Sequence, residues 1–295
     1  MTRVSETELS LADGVLSTPY RNVINPNAAA GAGSIHDQAT ATKLGFRGGT
    51  VAGSNHMDLF PPLALAAFGQ RWFETGSLSL FFRNATIDRE PVRASIRQPA
   101  PGATDVQVEG WLDRDDGMRV GEGSLAVGDP GEVPALQRIP LEDIDPNGCR
   151  ILRDMKVGEE IPSGGVIFSE TQHADRMAVI TEKLSWYGPE SPWGGTVLSP
   201  AEMVGLLYAG PVATLRKQIK DAVGLFGAIE LRNINGPALL ETPYQVSGRV
   251  IAVGQSPKTE FFWFETGADD QDGKRVCEME MLLRFMKASS PLWAE

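Results

Sequence analysis

Apolar and polar residues alternate along several stretches of the chain, most cleanly in Val106-Gln107-Val108-Glu109-Gly110-Trp111. Side chains on a strand point to opposite faces in turn, so this alternation predicts a half-buried strand. Similar runs predict strands over Pro91–Gln98, Asp105–Leu112 and Val120–Val127, and again over Tyr244–Val253, Thr259–Glu265 and Arg275–Arg284. Turn residues separate them: Gly102, Asp115-Asp116-Gly117, Gly254 and the segment from Asp269 to Gly273. Two other stretches, Leu59 to Phe73 and Ala201 to Ile219, are apolar and compatible with helix. The second has a clear start. Ser199-Pro200-Ala201-Glu202 places Ser at the cap, Pro at the first helical position and Glu at the third. At the first, Ser54 or Asn55 is a candidate cap, while Pro61-Pro62 interrupts the helix; a short turn near His56 and a main helix from about Pro62 are expected.

The two halves echo one another. Gly48-Gly49-Thr50-Val51 recurs as Gly194-Gly195-Thr196-Val197, 146 positions on, and each copy precedes one of the apolar helical stretches. Each stretch leads to a segment ending in Arg-Asn, at Arg83-Asn84 and at Arg232-Asn233. A duplicated unit follows, each copy a central helix and then an antiparallel meander, which is an α+β pattern and not the strand–helix alternation of a doubly wound sheet. The expected organisation is a repeat over 1–130, a linker over 131–150 and a second repeat over 151–295, because the stretch from Asp129 to Gly148 is rich in Pro, Gly and acid.

The length of 295 residues suits two core-forming units. The formal charge of −11 argues against nucleic acid or an anionic membrane as a partner. Two distant cysteines, Cys149 and Cys277, make no disulfide framework. With three histidines and these two cysteines, no metal-ligand spacing arises, and no phosphate-binding or dinucleotide fingerprint appears. No apolar run is long enough to span a membrane, and the first residues lack the apolar core of a signal peptide, so a cytoplasmic protein is expected.

The segment Ser34-Ile35-His36-Asp37, then Ala41, Leu44-Gly45-Phe46 and Gly49-Thr50-Val51-Ala52-Gly53, resembles the MaoC-like dehydratases, or R-specific enoyl-CoA hydratases. The resemblance implies a hotdog fold, an antiparallel sheet wrapped around one helix, and the internal repeat implies a double hotdog. It also implies hydration or dehydration of an enoyl or 3-hydroxyacyl thioester, with coenzyme A or an acyl carrier as part of the substrate, no separate cofactor, and a homodimer. His36 matches the family's histidine. The family's aspartate, five residues earlier, is Gly31 here, its Asn-Pro is Gly33-Ser34, and its His-Gly at the helix start is Gly53-Ser54. In the second half, Tyr187 to Trp193 stands where a His–Asp pair would be, so that half is expected to be degenerate at the site.

Such chemistry needs a base for water, a proton for the alpha carbon and donors for the carbonyl. His36 is the acid–base candidate, since imidazole titrates near neutrality. Asp37 is a second candidate, to orient His36 or supply the missing carboxylate; it also precedes a helical pattern, Gln38 to Leu44, and can cap it instead. His56, a third catalytic candidate, lies beside the expected donor loop of Gly53, Ser54 and Asn55, the candidate substrate-binding residues. His173 has no supporting motif and reads as a surface or structural residue. Between Lys43 and Arg97 the chain carries seven basic and four acidic residues, either a patch for phosphates or an acidic carrier, or a sheet face with ordinary ion pairs. Trp72, Phe73, Phe81 and Phe82 read as core, dimer-packing or substrate-lining residues. Two further functions stay open: the fold reused for a thioester hydrolysis or a cyclisation, or a non-catalytic protein that binds an acyl or other apolar ligand.

Overall fold

The computed structural model describes residues 4–29, 33–208, 215–216, 218–219 and 221–294. Among the described residues there are twelve strands: β1 Ser10–Ala12, β2 Val15–Ser17, β3 Arg21–Asn22, β4 Gly76–Phe82, β5 Pro91–Arg97, β6 Val106–Arg114, β7 Arg119–Val127, β8 Glu160–Val166, β9 Gly224–Asn233, β10 Tyr244–Gln255, β11 Thr259–Asp269 and β12 Arg275–Met286. The α-helices that accompany them among the described residues are α1 Gln38–Lys43, α2 Gly53–Met57, α3 Pro61–Phe68, α4 Trp72–Thr75, α5 Glu170–Val179 and α6 Pro200–Tyr208.

All strands belong to one sheet, in the order β1-β2-β5-β6-β7-β4-β9-β12-β11-β10-β8, with β3 beside β5. The halves mirror one another about the antiparallel pair β4–β9, in which Leu80 faces Ile229. Within each half the sheet order matches the expected helix-then-meander. Inward side chains such as Leu78, Leu80, Ile229, Leu231 and Met281 form the core with the buried helical residues Leu63, Ala64, Leu206 and Leu207.

The main helix expected from about Pro62 begins at Pro61, after the short α2 that holds His56, but the apolar stretch to Phe73 is broken into α3, a 3₁₀ turn over Gly69–Arg71, and α4. Gly69 ends α3 with φ +66°, a left-handed conformation that glycine adopts without strain. The second helix starts as expected: the Ser199 N–H donates to Glu202 Oε2 at 2.7 Å, and the Glu202 N–H to Ser199 Oγ at 3.4 Å. Its described part runs to Tyr208; residues 209–214 and 217 of the expected stretch to Ile219 lie outside the described ones, and 215–216 are helical.

The Arg-Asn markers sit out of register. Asn84 Nδ2 donates to the Arg119 carbonyl at 2.7 Å, and the same bond in the second half is made by Asn235 to the Arg275 carbonyl at 2.8 Å. The counterpart of Asn84 is therefore Asn235 and not Asn233. A shift of two leaves the strand's inward face unchanged, since side chains alternate with period two.

The linker crosses the outer face of the sheet. The Ala135 and Leu136 N–H groups donate to Ser124 Oγ and Ser79 Oγ, at 3.1 and 3.0 Å. Leu136 packs there against Ala228, Ala252, Trp263 and Leu282. No helix among the described residues is long and apolar enough to cross a membrane.

Candidate active site

Asp37 caps α1: the Thr40 N–H donates to its Oδ1 at 2.8 Å. The helix closes at Gly45 (φ +86°), where the Phe46 N–H returns to the Ala41 carbonyl. The chain then comes back under His36. A Cβ on Gly49 would lie 2.4 Å from the His36 carbonyl oxygen, so this approach requires glycine. The Thr50 N–H donates to the Ile35 carbonyl at 2.8 Å, and His36 Nδ1 lies 2.7 Å from the Thr50 carbonyl oxygen. A carbonyl only accepts, so Nδ1 carries the hydrogen. Nε2 then presents its lone pair and bonds no other described residue.

His36 lines a cavity of about 830 Å³ between the halves, a size that holds a drug-sized ligand. Gly53, His56 and Phe82 line it from the first half; Tyr208, Phe226 and Phe285 do so from the second. The α2 helix begins at its edge. Its cap residue is Ala52, not Ser54 or Asn55, and makes no side-chain bond. Among the described residues no acceptor bonds the Gly53 or Ser54 N–H, as expected for the first amides of a helix without a side-chain cap. The Phe82 ring packs against Gly53, where a Cβ would lie 2.6 Å from it.

His56 is buried at the same wall. Its Nε2 lies 2.8 Å from Thr86 Oγ1, and its Nδ1 has no partner. Burial, and after it the positive charge of Arg176, lower its pKa to about 4, so the ring is neutral at physiological pH. Asn55 and Asp58 turn away from the cavity toward the second half. Asn55 Oδ1 and Asp58 Oδ2 accept from Arg176, at 2.9 and 2.7 Å.

The structure thus brings His36, His56 and Gly53 to one cavity. It gives Asp37 to a helix cap and Asn55 to the junction, and neither lines the cavity. Ser54 is buried in α2 next to Gly53 and does not line the cavity; its N–H has no acceptor among the described residues. Gly31 lies outside the described residues. No described carboxylate bonds the His36 ring. His173 is an internal residue: Nδ1 lies 2.7 Å from Glu202 Oε1 and Nε2 3.0 Å from the Tyr187 carbonyl. The partners Thr86 and Arg176 went unnoticed in the sequence, because their contacts span 30 and about 120 positions and no motif marks them.

Five residues of the basic stretch have acidic partners: Arg47 with Glu90, Arg71 with Asp105, Arg83 with Glu122, Arg89 with Asp88 and Arg97 with Glu109. Arg93 stacks over Tyr20. Of the seven, only Arg83 lines the cavity. Among the described residues, no three His, Cys, Asp or Glu side chains are grouped to hold a metal ion.

The second half carries different residues at the equivalent places. The Val197 N–H donates to the Trp186 carbonyl as that of Thr50 does to Ile35, so Tyr187 stands where His36 does. With Thr50 and Val197 paired, 147 positions apart, Pro200 and Met203 replace Gly53 and His56. The proline has no N–H to donate. The space there shrinks to about 10 Å³. Phe73, Trp186 and Trp193 pack beside it, with ring centroids 5.0 to 6.0 Å apart.

No protein-family model matches the chain, and no curated protein matches it by sequence. Solved structures match it along nearly its whole length. A candidate MaoC domain protein dehydratase from Chloroflexus aurantiacus J-10-fl superposes with a TM-score of 0.63 at 13% identity, over 96% of this chain and 95% of its own. A protein from Mycobacterium tuberculosis, described as having a double hotdog fold, gives 0.58 at 12% identity, over 94% and 97%. A MaoC-like dehydratase gives 0.54 at 14% identity, over 92% and 98%. At such identities the likeness establishes the fold, and the chain is a double hotdog.

Proposed function

We propose that this protein hydrates an enoyl thioester, or dehydrates the corresponding 3-hydroxyacyl thioester, with His36 as its acid–base residue. The observation that carries the reading is the His36 Nδ1 contact with the Thr50 carbonyl, which leaves Nε2 as the basic nitrogen of a cavity-lining ring. The unbonded amides of Gly53 and Ser54 begin at the edge of the same cavity.

In the hydration direction, Nε2 takes one proton from water as the water oxygen bonds to the beta carbon. The electron pair of the double bond moves toward the alpha carbon and the thioester oxygen, where the two amides stabilise the developing charge. The His36 imidazolium then returns its proton to the alpha carbon, so one ring serves as base and acid in turn. His56, neutral and bonded to Thr86, adds no second positive charge while His36 is protonated.

Hydration of crotonyl-CoA and of a longer enoyl-CoA, followed by loss of enoyl absorbance, tests this. His36→Ala is expected to lose about 10²–10⁴-fold in kcat with the fold intact. A folded wild-type protein that turns over no chain length sinks the reading.

A second reading draws on the lack of any described carboxylate bonded to His36. A lone imidazole suffices to direct water at the thioester carbonyl carbon, which makes the protein a hydrolase. Release of free coenzyme A thiol, without loss of the enoyl absorbance through hydration, identifies that outcome.

A further inference from the structure

The polar cluster between the halves holds the candidate site from outside. Arg176 lies on the inward face of α5, one helical turn after His173. Its guanidinium grips α2 at both ends. Nη1 donates to Asn55 Oδ1 at 2.9 Å in the first turn, and Nε donates to Asp58 Oδ2 at 2.7 Å at the C-cap. The Arg176 and Asp58 side chains are 11% and 2% exposed, so water competes little with the pair.

Both partners are themselves fixed. His173 ties α5 to Glu202 of α6 and to the Tyr187 carbonyl. Asp58 Oδ1 accepts the Ala201 N–H at 2.8 Å, and Oδ2 the Ser199 hydroxyl at 3.2 Å. A planar guanidinium with several directed donors fixes orientation as well as distance. Asn55 and Asp58 bracket His56, and the same five-residue helix carries Gly53.

We propose that Arg176 is a positioning residue for the candidate active site: together with the Ser199 and Ala201 bonds to Asp58, its bonds to Asn55 and Asp58 set α2, and with it His56 and Gly53, against the cavity. The proposal rests on the functional reading given above and adds to it a residue that touches no substrate. It also assigns Arg176 an electrostatic effect. The charges acting on His56 are those of Arg176 from α5 and Glu90 before β5; the neutral Thr86 bonds its ring, and His36 lines the same cavity. Arg176 disfavours the imidazolium and Glu90 favours it.

Two variants of the full-length protein test this, Arg176→Met and Arg176→Lys. Three readouts apply: the pH titration of the His56 ring by NMR, the amide signals of residues 53–56, and enoyl-CoA hydration per folded molecule. In Arg176→Met, His56 is expected to titrate at higher pH than in wild type, and the amide signals to move. Its kcat should fall by about 10–100-fold while KM stays within about two-fold, as for a group lost from positioning and not from binding. Arg176→Lys keeps the charge but lacks the fork that spans Asn55 and Asp58. His56 then titrates as in wild type, while the amide signals still move and kcat still falls.

Unmoved amide signals together with unchanged kcat per folded molecule overturn the proposal, and so does an activity loss that only follows the unfolded fraction. If Arg176→Met does not fold, Arg176→Lys decides through the amides and kcat. If wild type turns over no thioester, the functional reading fails, while the amide signals and the His56 titration still decide the positioning.

Discussion

The tautomer of His36 is set by the Thr50 carbonyl, and its counterpart Tyr187 shows how little the backbone demands of the side chain there. The His36 carbonyl accepts from Asn25 Nδ2 at 3.0 Å, and the Tyr187 carbonyl from His173 Nε2 at the same distance. The main chain is alike and the side chains differ. A second residue-scale feature lies on the outer face of the sheet, where Glu280 stands opposite Glu230 across the β12–β9 pair and opposite Glu265 across β11–β12. Both Glu280 and Glu230 are buried, each with one oxygen lacking a partner. Burial, with Glu230 and Glu265 adding to it and Arg232 opposing, raises the Glu280 pKa from its ordinary 4.5 to about 7. The folded protein thus keeps a proton that the unfolded chain releases at lower pH. The stability this confers is fully present below the unfolded value and is lost as pH rises through about 7. Glu280→Gln, neutral throughout, is expected to leave the unfolding midpoint nearly unchanged at about pH 4, and to raise stability by about 1–3 kcal/mol at about pH 8. Denaturant melts at the two pH values check it; an equal effect at both contradicts the assignment.

At the scale of elements, the Gly48-Gly49 turn shows what the repeated motif is for. In the first half Gly49 sits against the His36 carbonyl; with Thr50 paired to Val197, its counterpart is Thr196, which carries a Cβ, and a Cβ on Gly195, the counterpart of Gly48, would meet only Leu239 at ordinary contact distance, 3.5 Å. Gly49→Ala is therefore expected to cost about 1–3 kcal/mol and to disturb His36, while Gly195→Ala costs less than about 1 kcal/mol, as paired denaturation curves will show. Six of the twelve described strands were legible because alternation and turn residues are local signals: all six expected ones formed, within a few residues of their expected ends, while the short β1, β2, β3 and β8 and the central β4 and β9 were not foreseen. The helices were less so. Periodicity does not reveal that Gly69 takes a left-handed conformation and splits the first one. The Arg-Asn markers misled by two positions because a strand's face repeats every second residue, so the pattern tolerates that slip.

On the scale of the whole molecule, the sheet is continuous through β4–β9, and the linker fastens its outer face by Leu136 and two serine hydroxyls. Leu136 is fully buried. Leu136→Ala is expected to destabilise the protein by about 2–4 kcal/mol, measured by denaturant unfolding, although the residue lies in a segment whose composition reads as a spacer. The candidate site was partly legible. His36, His56 and Gly53 could be singled out because they are close in sequence to a recognisable turn. The cavity's second wall, Tyr208, Phe226 and Phe285, and the guanidinium behind α2 were not, because tertiary folding alone brings them there. Asp58 has one further consequence. Its backbone ends a helix of the first repeat, while its two oxygens bond the start of the central helix of the second and pair with a guanidinium from a third helix. A chimera that exchanges one repeat for that of another double hotdog would strand this carboxylate or its guanidinium without a mate, so the halves, though copies in outline, are no longer interchangeable parts.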